Sequence, residues 1–433
     1  MKNYKYLVPI VLVLFLVLSV YKLNTDRLAN QKKYDKCVAE AREFRMQDVQ
    51  IDAEKKYLEA CKLKPSLDLY LEICEFYVEI NQLEQAISFG EKMISRYPKK
   101  VEAYELVLDM YISDEDYGAC FALADTYNKR KLSGGNFEEK LATVEYEYFL
   151  SKKYDSVSVF SGGYCPVSLN GMWGFVSAKG GRTVETEFLK VGAFCDDLAP
   201  VIDKDNNAYF IDSEGNKKFV VTNVKNVVEL GLMEDGIFPL FNGKTWAFYN
   251  KEGKKLFGDY TNVSSMGNGY AAVEKNGKWS LIDSKGNDLT GKTYSSVVMD
   301  EKTVICRNGR IFVEKNGKYS MIDTKGDVHS KQEYEDVHIF NNSTYAAVKI
   351  DGKWGFVDAD GNIVIKPQYD SARSFSNQLA AVQIDGFWGF IDLDGKMVIE
   401  PQFMSVKDFS DKGTVFVYKS NCWELLKLYK YNY

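Results

Sequence analysis

An aromatic residue returns at a nearly constant interval through the second half of this chain. It sits in look-alike stretches such as NGMWGFVSAKGG (170–181), NGKWSLIDSKGN (276–287), DGKWGFVDADGN (351–362) and DGFWGFIDLDGK (385–396). The markers are Trp173, Tyr209, Trp246, Trp279, Tyr319, Trp354, Trp388 and Trp423, spaced 36, 37, 33, 40, 35, 34 and 35 residues apart. All six tryptophans of the protein fall at this one position. A ligand platform needs one copy, whereas eight copies in register specify a layered frame.

Each tile reads as a meander of three or four short strands. An Asn-Gly or Asp-Gly pair supplies the positive φ angles of a tight hairpin ahead of the aromatic strand. Asp-x-x-Gly then makes a second turn, with the Asp side chain capping it. A strand such as IVIKPQ (363–368) follows, then a segment of the YDSARSFS type (369–376), repeated as YDSVSVFS (154–161), YEDVHIFN (334–341) and FMSVKDFS (403–410). Eight such units predict a β-propeller, which closes radially and leaves few open edges; the alternative is an open β-solenoid. The last unit, 403–433, lacks a final strand, so the reading expects another segment, 154–160, to complete it and close the ring.

The tiles resemble the bacterial WG repeat family through the pairs Trp173-Gly174, Trp354-Gly355 and Trp388-Gly389. The resemblance covers 154–433 and implies a β-domain that binds partners.

From 31 to 153 the texture is helical, poor in glycine, with apolar residues three and four apart. Pro65 and Pro98 mark a period of about 34 residues. The set Tyr70, Ile73, Cys74, Tyr77, Ala86, Gly90 and Met93 is echoed by Tyr104, Val107, Leu108, Tyr111, Cys120, Ala124 and Tyr127. These units resemble tetratricopeptide repeats, which implies a protein-binding groove, with 137–150 as a capping helix; the alternative is a plain helical bundle. Residues 1–30 carry an apolar run, LVPIVLVLFLVLSVY (7–21), flanked by Lys2, Lys5, Lys22 and Arg27. With snorkelling lysines, 4–23 has the length of a span, and no small-x-small cleavage site follows. The expectation is therefore a signal anchor and a single-pass membrane protein with its body outside the cytoplasm.

Few features support chemistry. A net charge of -6 excludes a general attraction to nucleic acid or anionic lipid. The eight cysteines show no C-x-x-C spacing, and His329 and His338 are the only histidines, so no metal site or imidazole-based catalysis is expected. Asp358, Asp360 and Asn362 alternate like a calcium loop, but Lys285 and Lys325 replace the second carboxylate in sister tiles, which favours a turn. GNDLTGKT (286–293) fits the phosphate-loop pattern by letter, yet YSSVVM (294–299) leads out of it as a strand rather than a helix.

The sequence thus predicts an α + β multidomain protein: a membrane anchor (1–30), a tetratricopeptide-like array (31–153) and an eight-unit β-domain (154–433). It predicts a non-enzymatic scaffold of the cell envelope, with protein partners and no cofactor, metal or small-molecule substrate. The alternative is a glycan-binding or glycan-cleaving propeller using exposed Tyr and paired Asp.

Overall fold

The computed structural model describes residues 4–221, 224, 226–341 and 343–431, without the side chains of residues 4–14 and Arg182. The chain divides after Glu147 into two units.

Among the described residues the first unit is an array of seven helices: α1 (Tyr4–Met46), α2 (Gln50–Leu63), α3 (Leu67–Glu79), α4 (Leu83–Arg96), α5 (Val101–Ser113), α6 (Tyr117–Lys129) and α7 (Phe137–Ala142). The turns that fold α2 onto α1, α4 onto α3 and α6 onto α5 each contain one left-handed residue: Asp48, Asn81 and Glu115. Ser66 caps α3 by accepting from the Leu69 N–H, and Asp116 caps α6 by accepting from the Ala119 N–H. Tyr104 is buried and Tyr97 half-buried, and their hydroxyls reach fixed acceptors, Tyr97 donating to the Pro65 carbonyl and Tyr104 to that of Pro98.

Two expectations are corrected here. Among the described residues, no helix is long and apolar enough to cross a membrane, which overturns the transmembrane element of the fold class and the single-pass localisation. The apolar run of the sequence, 7–21, ends at Lys22 and is followed by Asp26 and Arg27. At fifteen residues it is shorter than the roughly 20 apolar residues a span requires. Helix α1 then buries Cys37, Val38 and Ala41 in the helical core. The rest of the expected anchor, residues 1–3 and the side chains of 4–14, lies outside the described residues. The proposed capping helix also stops early: α7 ends at Ala142, and residues 148–154 are a strand.

The second unit is an eight-bladed β-propeller. In blade 7 the strand order from the inside out is Ser371–Ala372, Ala380–Ile384, Phe387–Ile391, Met397–Phe403. Blades 1, 2, 3 and 6 repeat this order, while blade 4 has three strands. The ring closes as a composite blade 8, whose outermost strand is Tyr148–Tyr154 from the start of the domain. It pairs antiparallel with Cys422–Leu428, Tyr148 opposite Leu428 and Tyr154 opposite Trp423, with a bulge between Ser151 and Lys153. Closure therefore uses 148–154 rather than 154–160, and it removes the open edge that a solenoid would keep.

The repeated letters have architectural roles. Asp351-Gly352 and Asp385-Gly386 have both φ angles positive, the geometry of a two-residue hairpin. The glycine after the marker tryptophan admits the outer strand. A Cβ on Gly355 would lie 2.6 Å from the Ile365 carbonyl oxygen, and one on Gly389 would lie 2.5 Å from that of Ile399. At both places the ladder shifts register. Blade 3 inverts the arrangement, with Ala247 after the tryptophan and Gly258 opposite it on the outer strand.

Candidate functional site

One residue directly follows the two-residue innermost strand of each blade. At the position after the small apolar residue of that strand stand Ser158, Gly192, Gly231, Ser264, Val298, His338, Arg373 and Lys407. Five blades thus contribute small or apolar residues, and blades 6 to 8 contribute an imidazole and two cations. Charge at this position is thus confined to adjacent blades on one side of the ring.

Blade 5 adds a second asymmetry. From Val297 of its inner strand to its marker Tyr319 is 22 residues, whereas Val157 to Trp173 is 16. The surplus forms a loop, 300–304, that folds into the channel. On one side it is tied to blade 4, where the Ser265 N–H donates to the Thr303 carbonyl at 2.8 Å and the two hydroxyls lie 2.8 Å apart. On the other side Glu301 reaches Arg373 of blade 7 at 2.7 Å and Lys407 of blade 8 at 2.5 Å. Glu301 and Lys302 line two cavities, one of about 900 Å³ touched by all eight blades and one of about 780 Å³ against blades 1 to 4. The loop is a partition across the channel.

The partition ends in a charged cluster. Arg373 donates from Nε to Asp408 Oδ1 at 2.6 Å and from Nη2 to Asp408 Oδ2 at 3.0 Å, and Asn341 donates to the same Oδ2 at 2.9 Å. Burial by itself would raise the pKa of Asp408, but the Arg373 guanidinium outweighs it and holds the carboxyl below its ordinary range. Glu301 is lowered likewise, burial being opposed by Arg373 and Lys407. His338 stacks on Trp354 at 5.1 Å, and burial, aided by Arg373, pushes its pKa down, so the imidazole is held neutral. Two cations face two carboxylates, and the cluster is close to electroneutral.

The residues singled out from the sequence lie elsewhere. The eight markers are distributed one to a blade on the third strand, from Trp173 to Trp423. Trp354 and Tyr209 are buried and the other six half-buried. Trp173, Trp354 and Trp388 face Phe188, Tyr369 and Phe403 of the outer strands. The calcium-like stretch is a turn: Asp358 Oδ1 accepts from the N–H groups of Asp360 and Asn362, and Oδ2 from the Asn362 amide. Asp212, Asp283, Asp323 and Asp392 accept from the backbone in the same way. Asp360 points outward, its nearest cation Arg310 at 3.8 Å. In the phosphate-loop look-alike, Asp288 accepts from the N–H groups of Thr290 and Gly291, and Lys292 donates to the Gly326 carbonyl. The loop leads to the strand Ser296–Val297, so no helix N-terminus stands behind it. Burial pushes the thiols of Cys74 and Cys120 up to about 12 and that of Cys306 to about 11. These are packing residues rather than nucleophiles.

Sequence reasoning did not single out Glu301, Arg373, Lys407 or Asp408. Their signal was departure from the tile pattern: charges at an inner position that is small elsewhere, and the 40-residue spacing between Trp279 and Tyr319.

Comparison with known proteins places the repeats. Residues 147–173, 246–279, 320–354, 354–386 and 388–423 match the family described as WG containing repeat. No curated protein matches the chain. Among solved structures, the fold is similar to one described as the crystal structure of the eukaryotic initiation factor, with 13% identity over 66% of this chain and 88% of that one and a TM-score of 0.44. It is also similar to Hsv2p of Kluyveromyces lactis, with 9% identity over 56% and 93% and a TM-score of 0.38.

Proposed function

We propose that this WG-repeat protein is a protein-interaction scaffold that acts by binding rather than by catalysis. The recurring residues of the propeller are engaged in turns, bulges and closure, so partner recognition falls to the positions where the tiles differ. One such position carries the reading. At the hairpin end of blade 6, Lys353 pairs with Asp370 at 2.6 Å, and blade 5 places Lys318 near Glu335. Blade 7 replaces that ion pair with Phe387 and Met404, which are 50% and 59% exposed, beside Ile384 at 37%. An apolar cluster where blades 5 and 6 carry charges is the pattern of a docking surface.

The helical array, whose period resembles tetratricopeptide repeats, adds a second surface of the same kind. The carbohydrate alternative draws no support from the channel, where Glu301 and Asp408 are each tied to Arg373.

A photo-crosslinking amino acid at position 387 of the full chain, expressed in its own cells, tests the reading. A discrete protein adduct is expected there, absent when the crosslinker stands at Lys353 and lost on Met404→Glu. Equal or no crosslinking at the two positions would exclude blade 7 as the docking surface.

A further inference from the structure

Arg373 and Lys407 are neighbouring cations at a position that is uncharged in blades 1 to 5, where Ser158, Gly192, Gly231, Ser264 and Val298 stand. Asp408 compensates one of them within the regular blade framework. The second negative charge comes from Glu301, on a loop that is an insertion relative to the other tiles. Its carboxylate bridges the pair, Oε1 to Arg373 at 2.7 Å and Oε2 to Lys407 at 2.5 Å, as a bound carboxylic acid would. We propose that Arg373 and Lys407 form a carboxylate-binding site filled from within by Glu301. A carboxylate from outside, on an acidic segment of a partner or on a free dicarboxylic acid, occupies it by displacing the loop.

Three observations support exchange. The loop is a turn closed by Asp300, whose carboxylate accepts from the Lys302 and Val304 N–H groups and lies 3.7 Å from Arg307. It is held across the channel by polar bonds at Thr303 and by Glu301, while its apolar anchor, Val304, is packed at its base against Ala193 and Leu232. Glu301 and Thr303 can therefore release their partners while the turn from Asp300 to Val304 stays closed. The cavities on the two sides of Glu301, about 900 and 780 Å³, provide the approach and the space into which the loop retreats. Replacing one carboxylate by another also gives both cations a counter-charge before and after the exchange. The internal carboxylate lowers the apparent affinity for an external one by the fraction of time it occupies the site.

Hydrogen exchange on the full chain tests this, because the Ser265 amide donates to Thr303 only while the loop is in place. The chain is titrated at constant ionic strength with succinate in one arm and a glutamate-rich hexapeptide in the other, with chloride as control. One or both carboxylates are expected to speed exchange at Ser265 by about tenfold, and Glu301→Ala to bind the same compound about tenfold more tightly by calorimetry. Lys407→Met in that background should remove the binding. A response to the peptide alone assigns the site to a partner's acidic segment, and one to succinate alone assigns it to a small acid. If Glu301→Ala does not fold, Glu301→Gln keeps the shape without the charge and takes its place. The site is overturned if the folded variant binds neither compound, or binds equally well with Lys407→Met. Displacement is overturned if the variant binds and the native chain shows no change at Ser265.

Discussion

Gly389 follows its tryptophan because the outer strand of blade 7 crosses within 2.5 Å of where a Cβ would stand. The obstacle is backbone, which cannot move aside as a flexible side chain would. Gly389→Ala should therefore destabilise the protein by about 1–3 kcal/mol, and Gly181→Ala, whose Cβ would meet nothing closer than 3.7 Å, by less than about 0.5 kcal/mol. Denaturant melts of the two variants decide the point. The sequence pair Trp-Gly announced a repeat but not this reason, because the approach of a strand eight or more residues away is invisible to local pattern. A second prediction at this scale concerns acid. Glu301 and Asp408 titrate below their ordinary values of 4.5 and 3.8. A folded pKa below the unfolded one gives stability that is complete above the unfolded value and is lost as pH falls through the folded one. The Tm of the native protein should hold from neutrality to about pH 5 and decline below it. Glu301→Gln should start lower and show a shallower decline below pH 4.5, which a series of thermal melts would reveal.

Among elements, turns were the most legible and insertions the least. The Asp-x-x-Gly turn could be read because its chemistry is contained in five consecutive residues: one carboxylate takes up the N–H groups that the reversal leaves over. Asp358→Ala removes the acceptor of three hydrogen bonds and should cost about 1–2 kcal/mol, with Asp358→Asn recovering part of it. An equal loss for Asn and Ala in chemical denaturation would count against the turn account. The loop of blade 5 was legible only as a length. Its 40-residue spacing was visible, but the direction of an insertion depends on its partners, and Ser265, Arg373 and Lys407 lie 38, 72 and 106 residues from Thr303, Glu301 and Glu301. The closing strand was misread as the end of a capping helix because VEYEYFL follows a run of Glu, Lys and Ala. Its aromatic content was the counter-signal.

At the scale of the molecule, the tile count led to eight blades and the missing strand led to a closed ring, while the membrane anchor did not survive. Among the described residues no helix is long and apolar enough to cross a membrane, and the apolar run 7–21 is shorter than the roughly 20 residues a span requires. Closure can be tested directly. Replacing 148–154 by a glycine–serine linker of equal length should lower the Tm by more than any single variant above and expose the edge of Cys422–Leu428. Size-exclusion chromatography should then show self-association, and a monodisperse variant with unchanged melting would contradict the composite blade.

Tyr148 and Leu428 face each other across that seam, 280 residues apart in the chain. On a ribosome adding about 5–20 residues per second, the first strand waits on the order of tens of seconds for its partner. Throughout that interval seven blades can form while the outermost strand of the eighth has nothing to pair with. The seam is thus a checkpoint in biosynthesis: a chain broken off anywhere before its last strand keeps both halves of blade 8 unpaired, in a form that chaperones and proteases can tell from the finished ring.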